Sequence, residues 1–272
     1  MKTARFFYGL ILAALVIRLW QGALVSQLAN PLFISPLSDN SYWILHIFGL
    51  PQLLLSSPFA ALMFDIGVFL TLIFTFLRVN NPNDEKKLFL CPCLRILSFL
   101  GLSVYFFTYN SANIQHGHQL IALWGLSFAL IWGERGLRWL RLYTCFILAS
   151  AAVWKIARLS AFYPQQLAHI LPLQHAQLAY EQPDNWRVYI YTFLVENPYL
   201  AYSAWWAAIC LQSGFMVGFF THKADKWLFI SLFLFVIMNY LMMNLYFAEF
   251  LPLAFLFLKN NQNQPNNQIN PF

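Results

Sequence analysis

Apolar residues run along this chain in long blocks separated by short polar stretches. The blocks fall at 6–28, 59–77, 94–111, 118–133, 142–163, 198–220 and 227–245, and a shorter one follows at 248–258. A helix that crosses a bilayer needs about 20 apolar residues. The pattern therefore predicts an all-α, polytopic helical membrane bundle of seven to eight transmembrane segments. It fills a single domain over 1–258. Residues 227–258 are too long for one ordinary span, and Met238 to Glu249 carries polar groups at its centre. A broken last helix or a re-entrant turn is expected there, because backbone exposed at membrane depth must be covered by protein. The tail 259–272 is rich in Asn, Gln and Pro and is expected to be disordered. Lys2 and Arg5 ahead of the first block resemble the start of a signal peptide. The apolar run continues past Arg18 to about Leu28, longer than such a signal needs, so an uncleaved first span is expected.

Composition agrees with the pattern. Of 272 residues, 60% are hydrophobic, 19% aromatic and only 10% charged, where soluble domains carry about 25% charged residues. Mean hydropathy is +0.57, and the lipid bilayer is the first partner implied. The net charge of +6 does not signal nucleic acid, because the basic residues are sorted by loop. Lys2, Arg5, Arg78, Lys86, Lys87, Arg95, Arg135, Arg138, Arg141, Lys223 and Lys226 all fall on one side. The opposite loops (29–58, 112–117, 164–197) contain Arg187 alone. The positive-inside rule then puts the N-terminus in the cytoplasm, and a bacterial inner membrane is the expected location. Cys91 and Cys93 form Cys-Pro-Cys rather than a CxxC redox or zinc motif. Cys145 and Cys210 read as packing residues inside spans. No internal repeat is evident, which weighs against an inverted-repeat transporter.

The chemistry gathers in the outer half of the predicted bundle. Lys155 lies inside the block Leu142 to Tyr163, where a charge costs roughly 3 kcal/mol on insertion scales. It sits about 12 Å below the outer end of that block, and Asp65 about 9 Å below the outer end of the second. The two are expected to pair. Arg158 follows Lys155 on the same helix face. Arg18 lies about 15 Å below the outer end of the first span, and Glu249 is expected near the last outer turn. Such Arg and Asp side chains can simply tie helices together, and Arg158 can extend outward to the interface. An amine kept out of water can instead act as a base at neutral pH. His116 and His118 open the fourth span on the same side and offer a base, a proton shuttle or an interfacial hydrogen bond. One residue apart, they do not share a helix face, and no metal site is expected even with His46 nearby. The outer loop 164–197 is expected to form an aromatic belt or lid, with His169 and His175 as loop or interfacial residues.

Three stretches together resemble a known family. They are Asn113-Ile-Gln-His-Gly-His118-Gln-Leu, Ala151-Ala-Val-Trp-Lys155-Ile, and the interrupted helix from Met238-Asn-Tyr to Glu249-Phe-Leu-Pro. The chain resembles the vitamin K-dependent γ-carboxylase-like, or HTTM, family. The resemblance implies that Lys155 is a base acting on a reduced quinone, with His118 in support and His116 the second choice. It also implies that this chemistry faces the outer side. The family's second Lys is Ile156 here, and the large extra domain of the carboxylases has no counterpart. Three functions follow as expectations. The first is a membrane enzyme acting on a lipid-soluble quinol or a secreted peptide, with Lys155 as base and Asp65 and His118 assisting. The second is a non-catalytic partner of a secreted peptide or another membrane subunit, in peptide maturation or immunity. The third is a proton-coupled transporter.

Overall fold

The computed structural model describes residues 2–28, 49–79, 90–112, 120–243 and 247–258. His46, His116, His118 and the tail 259–272 lie outside the described residues. All regular structure among the described residues is helical. The chain divides into two compact units, Met1–Leu140 and Arg141–Phe272.

The first unit holds α1 (Lys2–Trp20), α2 (Leu50–Ser56), α3 (Pro58–Arg78), α4 (Leu90–Ala112), α5 (Ile121–Ile131) and the beginning of α6 (Gly133–Ala157). α4 packs against both α3 and α5, and α1 packs against α3. α3 starts where Pro58 supplies a helix-ready φ and Ser57 Oγ accepts from Ala60 N at 3.3 Å. Its buried stripe is Ala61, Asp65, Val68, Leu72 and Thr75, while Phe59, Leu62, Ile66, Ile73 and Phe74 are exposed. The polar Asp65 and Thr75 point inward within this stripe, and the exposed face is apolar, as lipid requires. Thr75 Oγ1 lies 2.9 Å from Ser98 Oγ and links α3 to α4.

The second unit holds the rest of α6, then α7 (Gln166–Glu181), α8 (Trp186–Glu196), α9 (Pro198–Ser213), α10 (Asp225–Met243) and α11 (Leu251–Leu258). A 3-10 segment, Gly214–Phe219, extends α9. Rings pair Phe235 with Phe247 at 5.9 Å and Phe229 with Phe255 at 5.7 Å. As one chain position rises the other falls, so α11 folds back antiparallel on α10. The last apolar region is thus broken in two, as expected from its polar centre.

Six segments are long and apolar enough to cross a membrane: Thr3–Gln27, Pro58–Arg78, Cys91–Asn110, Gly133–Ala157, Pro198–Phe219 and Asp225–Met243. Ile121–Ile131 and Ala248–Leu258 are shorter apolar helices. The protein is an integral, multi-pass helical membrane protein. Three expectations need correction. The span expected at 142–163 is a helix from Gly133 to Ala157, so Arg135, Arg138 and Arg141 are helical rather than in a loop. The span expected at 118–133 gives a helix of only 11 residues, about 16 Å long. The stretch 164–197, expected to be a loop, forms the packed hairpin of α7 and α8.

Candidate functional site

Lys155 sits in the last turn of α6, two residues before its end. A helical side chain leans toward the N-terminus of its helix, and Lys155 reaches back to donate from Nζ to Gln212 Oε1 at 2.8 Å. Trp205 Nε1 donates to the Ser160 carbonyl at 3.1 Å, and Ser160 Oγ donates to the Lys155 carbonyl at 2.9 Å. The contact 155–212 followed by 160–205 shows α9 running antiparallel to the end of α6. The Trp205 ring centre lies 5.5 Å from Lys155 Nζ. Gln212 is 14 residues into the candidate span that starts at Pro198, about 21 Å along it. The amine therefore meets its partner well inside an apolar segment, although the Lys155 backbone lies at a helix end.

These groups line a cavity of about 260 Å³. Its walls are Leu167 from α7, Ala204, Ala207, Ala208 and Leu211 from α9, and Phe235, Met238, Asn239, Met242 and Met243 from α10. Asn239 Nδ2 donates to the Phe235 carbonyl at 2.7 Å, which leaves its amide oxygen as an acceptor at the wall. Among the described residues the lining contains no carboxylate. The acidic neighbour expected for Lys155 is thus replaced by a neutral amide. Arg158 lies just past the helix end and stacks on Trp154, its guanidinium 4.3 Å from the ring centre. Glu249 is buried in the 3-10 turn Ala248–Phe250 that leads into α11.

Asp65 and Arg18 do different work, in the first unit. Asp65 Oδ2 accepts from Ser26 N at 2.8 Å. Arg18 donates from Nε to Tyr105 Oη at 2.6 Å and from Nη2 to the Ala23 carbonyl at 3.2 Å. Tyr105 Oη donates to the same carbonyl at 2.6 Å, and the Tyr109 ring lies 4.2 Å from the guanidinium. Carboxylate and guanidinium together tie off the chain where it turns after α1, supplying partners for the Ser26 amide and the Ala23 carbonyl of that turn. Lys155 and Asp65, expected to pair, belong to different units. Each side chain is satisfied inside its own unit.

Two buried groups were not singled out by the sequence. His175, expected in a loop, is fully buried on α7. Its Nδ1 bonds the Leu171 carbonyl at 3.0 Å, its ring stacks on Tyr191 at 4.8 Å, and its Nε2 is buried with no hydrogen-bond partner among the described residues. Burial, with Arg187 nearby, holds its pKa below the usual value of 6.5. Arg141, expected in a cytoplasmic loop, is buried in α6. It donates to the Gly218 carbonyl at 2.9 Å and to Asp225 Oδ1 at 2.5 Å, and His222 Nδ1 lies 3.1 Å from Asp225 Oδ2. Neither was legible, because nothing in the local pattern separates a buried charge from a loop charge until α6 and α7 are known to be helical. Among the described residues no cluster of His, Cys, Asp or Glu could hold a metal ion. Comparison with family models, with curated proteins and with solved structures finds no match to this chain.

Proposed function

We propose that the second unit is a membrane enzyme site that takes a lipid-soluble ligand with an ionisable O–H group, a reduced quinone being the representative case, and that Lys155 is its base. One observation carries this reading: the Lys155 amine lines an apolar cavity with a neutral amide as its hydrogen-bond partner. A permanent ion pair would have blunted the amine. Gln212 Oε1 accepts from the nitrogen whether it carries two protons or three, so it orients the amine without choosing its charge. A ligand entering from the bilayer arrives neutral. Its O–H proton passes to Lys155 Nζ, the O–H electron pair stays on oxygen, and an ammonium faces the new anion. The Trp205 ring favours the ammonium, and the apolar walls of the cavity strengthen the attraction between the two charges. The resemblance to the γ-carboxylase-like family supports the same assignment, and the positive-inside reading of the basic residues is consistent with an extracytoplasmic position for this end of α6.

The test is oxygen uptake dependent on added hydroquinone, by the purified protein in nanodiscs. General-base catalysis contributes about 10²–10⁴-fold. Lys155→Met should therefore lower turnover at least 100-fold while the thermal midpoint stays within a few degrees. Unchanged turnover in that variant removes Lys155 from the chemistry.

A further inference from the structure

The Lys155 cavity has a larger neighbour. A groove of about 640 Å³ lies between α8 and α9, with Tyr189, Phe193 and Leu200 among its walls. All three are exposed, at 62%, 56% and 46%, so the groove opens on the protein's surface. Its α9 side also includes Ser203, Ala204 and Ala207. Ser203 Oγ donates to the Tyr199 carbonyl at 2.9 Å, so its hydroxyl is satisfied and the groove offers apolar surface. Ala204, Ala207 and Met242 line both the groove and the cavity. The shared α9 wall is made of the two alanine methyl groups, and the shared α10 residue, Met242, has an unbranched and adaptable side chain.

We infer that the groove holds the hydrocarbon tail of the ligand whose head meets Lys155, so that the cavity is loaded sideways from the bilayer. This rests on the proposed role of Lys155. The geometry orders the two parts. Along α9 the groove runs from Leu200 to Ala207, about 10 Å, and the cavity continues to Gln212, about 8 Å further. Leu200 is near the beginning of the candidate span Pro198–Phe219, with Tyr189 at the rim, where an amphipathic ring suits a membrane interface. The amine that would meet a head group is at the Gln212 end of the cavity. The occupant that matches is an amphiphile with one long apolar chain and a compact head bearing an ionisable O–H.

Two hydroquinones with the same ring, one carrying a decyl tail and one a methyl group, test this in nanodiscs by quenching of tryptophan fluorescence. Ala207→Phe places a ring at the junction of groove and cavity. It should weaken binding of the decyl probe at least tenfold and change the methyl probe less than twofold. If Ala207→Phe does not fold, Ala207→Leu carries the same comparison. Equal weakening of both probes, or of neither, overturns the inference. Lys155→Met separates it from the reading it rests on. Binding of both probes unchanged by Lys155→Met sinks the head-group role, while the tail-length contrast of Ala207→Phe stands or falls by its own result.

Discussion

His175 is a titratable ring sealed inside a helix hairpin. Its Nδ1 is held by the Leu171 carbonyl, which makes the neutral ring donate from Nδ1 and leaves Nε2 bare. Protonation would put a cation into a fully buried site with Arg187 nearby. The folded pKa is therefore lower than the unfolded 6.5. The sign follows from linkage: below pH 6.5 the unfolded chain takes up a proton that the folded chain refuses. His175 contributes its full stability above that pH, and the contribution falls by about 1.4 kcal/mol per unit as pH drops toward the folded pKa. Thermal midpoints at pH 7.5 and 5.5 should differ more for the native protein than for His175→Leu, which keeps the packing and cannot titrate. An equal difference in both would show that His175 plays no part. At this scale legibility depended on contrast. Lys155 stood out because a lone amine interrupts an apolar run. His175 lies among Gln, Ala and Leu in a stretch of mixed polarity, and its burial comes from Tyr191 on the next helix.

The helices themselves were largely legible, because lipid imposes length and polarity on each one. The misplaced boundaries have local causes. α6 begins nine residues before the apolar block because Glu134, Arg135 and Arg138 are good helix residues whose long stems can lie along an apolar surface. The turn from α5 into α6 rests on two glycines. Gly133 has φ +61°, a left-handed conformation that side chains disfavour. A Cβ on Gly136 would strike the Ala129 carbonyl oxygen. That obstacle is backbone, so no rotamer change relieves it and α5 and α6 must move apart. Gly136→Ala should cost stability at or above the upper end of the 1–3 kcal/mol usual for overpacking. Gly67→Ala, where a Cβ meets nothing within 4 Å, is the control on α3, expected to be neutral or slightly stabilising. Thermal unfolding of the purified variants reads both, and a Gly136→Ala midpoint equal to that of the control refutes the close approach.

The distribution of charge over the whole molecule predicts an orientation. Loop charge alone left one exception, Arg187, on the side assigned to the exterior. In the structure that guanidinium is buried, 5.0 Å from the Tyr240 ring centre, so it is a packing group of the α7–α8 hairpin rather than a free loop cation. On the opposite side Lys223 is exposed in the turn before α10, and cations of that kind are held back from crossing. The predicted arrangement therefore has the α9–α10 turn in the cytoplasm and the α7–α8 connection outside. Two single-cysteine proteins, each made after replacing the four native cysteines with serine or alanine, decide it. Asp184→Cys, exposed between α7 and α8, should react with a membrane-impermeant maleimide in intact cells. Lys223→Cys should react only after the cells are permeabilised. The reverse pattern would move the Lys155 end of α6 to the cytosolic face. A site fed there could not act on material already exported, so the secreted-peptide reading would fall, while a ligand drawn sideways from the bilayer would still reach the amine.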